Sequence, residues 1–143
     1  MFSKENQLGR GKKKKKAPVR VKEYSGVNDL DVDGQKELFD VMYKHSEKKS
    51  FLSSRTINSE ASAGSSFYVG QFAHVLAKGK YPKFKLYSKN IILLTNHEHL
   101  LLDAGTQSQR EAYAIENNCD WGRIYELAER LKQEYNSINF DNV

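Results

Sequence analysis

At 143 residues the chain is long enough for one ordinary domain that buries its own core, and a composition of 38% hydrophobic and 11% aromatic residues excludes a wholly disordered protein. A single cysteine, Cys119, excludes an intramolecular disulfide and a four-cysteine zinc site, and no apolar run reaches the ~18 residues that a bilayer-spanning helix needs. The formal charge of +5 is unevenly placed: residues 1–26 hold nine Lys/Arg against two Glu, and the remainder holds fourteen against sixteen.

Residues 1–27 carry few large apolar side chains, so ordering them would cost backbone entropy with no compensating burial. They are expected to form a basic, disordered arm. Its run Lys12, Lys13, Lys14, Lys15 and Lys16 repels itself and stays extended until it meets a polyanion, which makes DNA the expected partner. The same run also reads as a solvated tail that aids solubility. With one cysteine, and with no apolar middle region of a secretory signal near the start, the expected compartment is reducing and cytoplasmic, with no membrane partner.

The folded domain is expected over 28–136. Asp33 is a candidate N-cap, and Leu38, Phe39, Val41, Met42 and His45 recur at helical spacing, which predicts a helix over 34–47. Residues 51–66, rich in Ser, Thr and Asn, read as turns around a short extended piece. The aromatic and β-branched segment Ser66–His74 predicts a strand, with Gly70 marking a bulge or a close approach of backbone. Val75–Lys89 is a lysine-rich connection, Asn90–Leu94 a short apolar strand, and His97–Asp103 a helix packed on the two strands.

Thr106 with Gln109 is a capping-box pattern for a helix to about 117. A last helix, capped by Asp120, carries Trp121, Ile124, Tyr125, Leu127, Ala128, Leu131 and Tyr135 as its apolar stripe. Trp121 and Tyr125 fall at core spacing rather than as a base-stacking pair. Cys119 reads as an inert packed thiol, and residues 137–143 as a frayed tail.

The chemistry concentrates between residues 74 and 99. His74 ends one strand, Asn90 opens the next sixteen residues later, and His99 follows nine residues beyond; this spacing suggests a nuclease. Lys78, Lys80, Lys83, Lys85 and Lys89 lie between His74 and Asn90 with no carboxylate among them, which would surround the histidine with positive charge where a phosphate must sit.

The Ala73-His74, Asn90 and Glu98-His99 arrangement resembles the HNH (ββα-metal) endonuclease superfamily. The phrase from Ala73 to Asn90 is especially similar to phage HNH proteins of the NinG recombination-nuclease type, with a His followed by a basic-Gly turn, a Pro and an Asn at matching distance. The resemblance implies an α+β fold with a small ββα-metal hairpin-plus-helix core and flanking helices. It further implies a metal-dependent DNA endonuclease, phage-encoded and acting in recombination, replication or packaging.

In that scheme His74 is the general base, Asn90 holds the loop that orients it, and His99 binds one divalent cation, Mg²⁺ or Mn²⁺. The lysines grip the DNA backbone. Two departures stand out. The residue before the histidine, a ligand in the family, is Ala73 here; Gln71, Glu98, His97 and Asp103 are the available substitutes, and Glu98 is the preferred second ligand. The cysteine pairs of the family's zinc knuckle would fall at Leu52 to Arg55 and at Thr95 and Glu98. No cysteine stands there, so no structural zinc is expected, and packing and hydrogen bonds must hold that turn. Two other readings stand beside the nuclease: a degenerate HNH fold that binds nucleic acid without cutting it, and a basic-armed virion or interaction protein.

Overall fold

The computed structural model describes residues 24–57 and 66–138. The lysines Lys12 to Lys16, most of the expected arm, and residues 139–143 of the expected tail lie outside the described residues. The architecture is α+β: α1 (Gln35–His45), a one-turn helix α2 (Ser66–Val69), β1 (Phe72–His74), β2 (Ile91–Leu93), α3 (Asn96–Ala104), α4 (Gln107–Asn117) and α5 (Gly122–Ser137). The strands pair antiparallel with Phe72 opposite Leu93, Ala73 opposite Ile92 and His74 opposite Ile91. Two 3₁₀ turns, Pro82–Phe84 and Ser88–Asn90, shape the lysine-rich connection between them.

Side-chain alternation along the strands divides the core. Phe72, Ile91 and Leu93 face one cluster with Leu38 and Phe39 of α1, whereas Ala73, Ile92 and Leu94 face a second with Trp121, just before α5, and Ile124 of α5. Phe39 and Phe72 stack with ring centroids 4.3 Å apart. A third cluster closes the far end, where Phe84 and Tyr87 meet Leu131 and Tyr135. Phe84 is fully buried, a burial that contributes about 1.5–3 kcal/mol.

Several expected boundaries shift for identifiable reasons. The strand expected over Ser66–His74 is a helical turn for its first four residues. Tyr68 there donates its hydroxyl to Asp40 Oδ1 at 3.0 Å and packs edge-on against Phe72, so Tyr68 serves the core from a turn rather than from a pleat. Asn90 closes a 3₁₀ turn and does not open β2. Helix α1 starts after Gly34 without a side-chain cap, and Asp33 instead donates its amide to Glu37 Oε1.

The capping box of Thr106 and Gln109 is present, and Asn118 ends α4 in the left-handed conformation that Asn tolerates. Asp120 acts one residue earlier than a formal cap, its carboxylate accepting from Gly122 N at 2.8 Å, while α5 runs on to Ser137. Trp121 is buried and donates Nε1–H to Arg110 O at 2.9 Å, a packing role. Tyr125, on the same expected stripe, is 43% exposed.

Candidate functional site

A cleft of about 480 Å³ opens beside β1, between α1 and α3. His74 and His99 both line it, together with Gln35, Phe39, Lys78 and Asp103. Each histidine is fixed by a main-chain carbonyl. His74 Nε2 lies 3.0 Å from Lys85 O, and a carbonyl can only accept, so Nε2 carries the proton and Nδ1 keeps its lone pair. Burial pushes the His74 imidazole below its ordinary value; the Lys85 carbonyl opposes this, and the charges of Lys78, Lys85 and His99 reinforce it. The ring is thereby held neutral and competent to accept a proton at neutral pH.

His99 Nδ1 lies 2.8 Å from Gly70 O, so the Nδ1–H donates there, and the close approach expected at Gly70 is this imidazole. In the neutral ring Nε2 then carries no proton, yet it sits 3.1 Å from Asp103 Oδ2, one helical turn further along α3. Two acceptors at that separation need a proton or a cation in common. An imidazole whose other nitrogen is tied to a backbone carbonyl, beside a carboxylate at i+4 on one helix face, is a donor pair suited to a divalent ion.

Glu98 is turned away from this cleft. It is fully buried and accepts from the hydroxyls of Ser50, Ser53 and Tyr113 and from the Thr95 amide. The ligand expected at Glu98 is therefore not brought to His99. The carboxylate instead joins the 50–53 turn to the start of α3 and to α4, across the two places where the HNH resemblance puts the zinc-knuckle cysteines. Burial acts to raise the Glu98 pKa, but the three hydroxyls and the amide outweigh it and hold the carboxyl below its ordinary value. Donation to Glu98, after burial itself, pushes the Tyr113 phenol up to about 12.

Ala73 is fully buried and faces the second hydrophobic cluster, on the opposite side of β1 from His74. A carboxylate at that position would enter the core, so alanine here follows from the pleat. Asn90 does not reach the cleft either. It is fully buried, accepts from Leu76 N at 2.8 Å, and donates to Leu76 O and Phe84 O. Those three bonds shape the loop that presents the Lys85 carbonyl to His74. Asn90→Ala should therefore lower stability by about 2–4 kcal/mol, measurable by denaturant unfolding, since it leaves buried main-chain groups unpaired.

The five lysines diverge in space. Lys78 lines the cleft and donates to Gln35 Oε1 at 2.9 Å, and Lys85 contributes its carbonyl and its charge. Lys83 instead bonds Ser25, Lys80 is exposed, and Lys89 faces a different groove. His97 points to a separate cleft beside Tyr113, and His45 is exposed at the end of α1. Burial raises the Cys119 thiol pKa, in keeping with an inert thiol.

Gln35 and Phe39 reach the cleft from α1, far away in sequence and with no motif to announce them. Asp103 could have been promoted by the i, i+4 rule alone. No helix among the described residues is long and apolar enough to cross a membrane. Compared with protein-family models, with curated proteins and with solved structures, the chain matches none of them.

Proposed function

We propose that the chain is a phosphodiester hydrolase that depends on a divalent cation. More narrowly, it is an HNH-type endonuclease acting on DNA, with β1, β2 and α3 as its ββα-metal unit. The observation that carries this reading is the facing pair His99 Nε2 and Asp103 Oδ2, 3.1 Å apart, in the same cleft as a histidine whose tautomer is set by the Lys85 carbonyl.

His74 Nδ1 takes the proton of the attacking water, a task suited to an imidazole kept neutral by its surroundings. His99 and Asp103 would hold Mg²⁺ or Mn²⁺, which would supply charge neutralisation at the scissile phosphate and its leaving oxygen. Lys78 holds a neighbouring phosphate, a contact that positions the strand without reading its sequence.

Supercoiled plasmid incubated with the full chain tests the proposal. Nicking should require Mg²⁺ or Mn²⁺, cease with EDTA, and depend on His74, His99 and Asp103. DNA retention without nicking would favour the second reading, binding without cleavage. That reading draws on the ligand count: among the described residues no group of three or more His, Cys, Asp or Glu side chains is placed to hold a metal.

The lysines of the leader make a separate prediction. Deleting residues 1–22 should weaken DNA binding and flatten its salt dependence, by about 0.9 in slope for each phosphate no longer neutralised, with the thermal transition unchanged. Binding isotherms at several salt concentrations measure it, and an unaltered slope would remove the leader from the DNA interface.

A further inference from the structure

On the other edge of the sheet lies a groove of about 620 Å³ that the proposed chemistry does not use. Its floor is β2, and its walls are Met42 of α1 and the following Ser46 on one side and Leu127 and Leu131 of α5 on the other.

The ladder decides which main-chain groups look into it. Leu94 N donates to Gln71 O and Val75 N to Asn90 O, so Ile92 is the residue of β2 that bonds β1, and Ile91 and Leu93 turn their groups to the free edge. Two of those four groups are satisfied locally: Ile91 N donates to Ser88 O, and Leu93 O accepts from Phe51 N at 2.8 Å. Leu93 N and Ile91 O have no partner among the described residues. A donor and an acceptor flanking Ile92 are the two groups that a single residue of a parallel strand engages.

The rim is cationic. Lys49, Lys89 and Arg130 stand around the groove, and the one carboxylate lining it among the described residues, Glu134, already accepts from Tyr87 Oη at 2.7 Å. Among the described residues Phe51 is the only aromatic ring in the lining, and one face of it is taken by the Arg123 guanidinium 4.5 Å from its centroid, so the groove offers no series of aromatic platforms on which successive bases could stack.

From the free strand edge, the apolar walls and the basic rim, we infer that this groove receives an extended peptide of a protein partner. The peptide is apolar at alternate positions, carries carboxylates at its flanks, and adds as a third strand beside β2. The carboxylates meet Lys49, Lys89 and Arg130, and the peptide backbone closes the Leu93 and Ile91 groups. The groove and the catalytic cleft flank different edges of the sheet, so this inference stands whether or not the chain cuts DNA.

A random octapeptide library displayed on phage and selected on the full chain tests it. Enriched peptides should carry acidic flanks around alternating apolar residues. A synthetic copy of the strongest should bind at least tenfold more weakly to Arg130→Glu or Lys49→Glu, but equally well to Lys132→Glu, an exposed reversal outside the groove. Circular dichroism of each variant checks that it is folded. Amide exchange at Leu93 should slow when the peptide is bound, and N-methylation of the peptide residue opposite Ile92 should abolish that protection.

The inference fails if no sequence is enriched, if enriched peptides lack carboxylates, or if Arg130→Glu leaves affinity unchanged. It also fails if a single-stranded oligonucleotide displaces the peptide, since the groove would then be a nucleic-acid site. A Leu93 amide already protected in the free chain and released on deleting residues 1–23 would likewise overturn it, because the leader itself would then fill the slot.

Discussion

Replacing His74 by alanine is expected to lower metal-dependent nicking of supercoiled plasmid by roughly 10²- to 10⁴-fold, the usual contribution of a positioned general base. That range corresponds to about 3–5.5 kcal/mol of transition-state stabilisation. The fold should survive, because His74 is half-buried at the rim of its cluster and its one hydrogen bond is to the Lys85 carbonyl.

The pH profile gives an independent signature. The pKa of His74 is lowered from its ordinary value of 6.5, chiefly by burial, so the neutral, proton-accepting form persists to lower pH than in a free imidazole. The acid limb of kcat/KM should therefore fall below pH 6.5 and be absent from the residual activity of His74→Ala. Wild-type rates in His74→Ala, or an acid limb well above 6.5, would remove His74 from the chemistry.

The elements that periodicity governs were legible in the chain. The last helix with its stripe from Trp121 to Tyr135, Tyr125 excepted, the Thr106 and Gln109 capping box and the apolar Ile91–Leu93 segment appear where local pattern places them. The turn at 66–69 was not, because an aromatic residue satisfies a strand's preferences and a helical turn's equally well until Tyr68 finds Asp40. At the site, His74 and His99 share a cleft as their spacing suggested. Asn90 acts from beneath through the backbone of its loop.

Glu98 was misplaced by adjacency: on a helix a neighbour in sequence points about 100° away, whereas the residue four positions on shares the face. The same geometry brings Asp103 to His99. Five lysines close together in sequence likewise carry no information about direction when two 3₁₀ turns intervene.

At Glu98 a structural role and a ligand role can be separated by measurement. Glu98→Ala should destabilise the fold by on the order of 4 kcal/mol, because it orphans three buried or half-buried hydroxyls and removes half of the α3 capping box. Ser50 and Ser53 also hold the amides of Leu52 and Arg55, so the loss spreads through the turn at 50–55. For a domain of this size the midpoint of thermal unfolding should fall by roughly 10 °C.

The pH dependence follows from the sign of the shift. The Glu98 pKa is lowered from its ordinary value of 4.5, so the unfolded chain binds the proton more readily. Its contribution is then complete above that value and is lost as pH falls through the lower folded pKa. Glu98→Gln should flatten the acid side of the stability curve, since the amide cannot titrate and serves the hydroxyls only in part. A cation ligand behaves otherwise: its removal would erase the response to Mg²⁺ or Mn²⁺ and leave the metal-free midpoint where it was. An unchanged midpoint in Glu98→Ala, with the metal response gone, would return this carboxylate to the cation; a large drop with the metal response retained leaves Asp103 as the partner of His99.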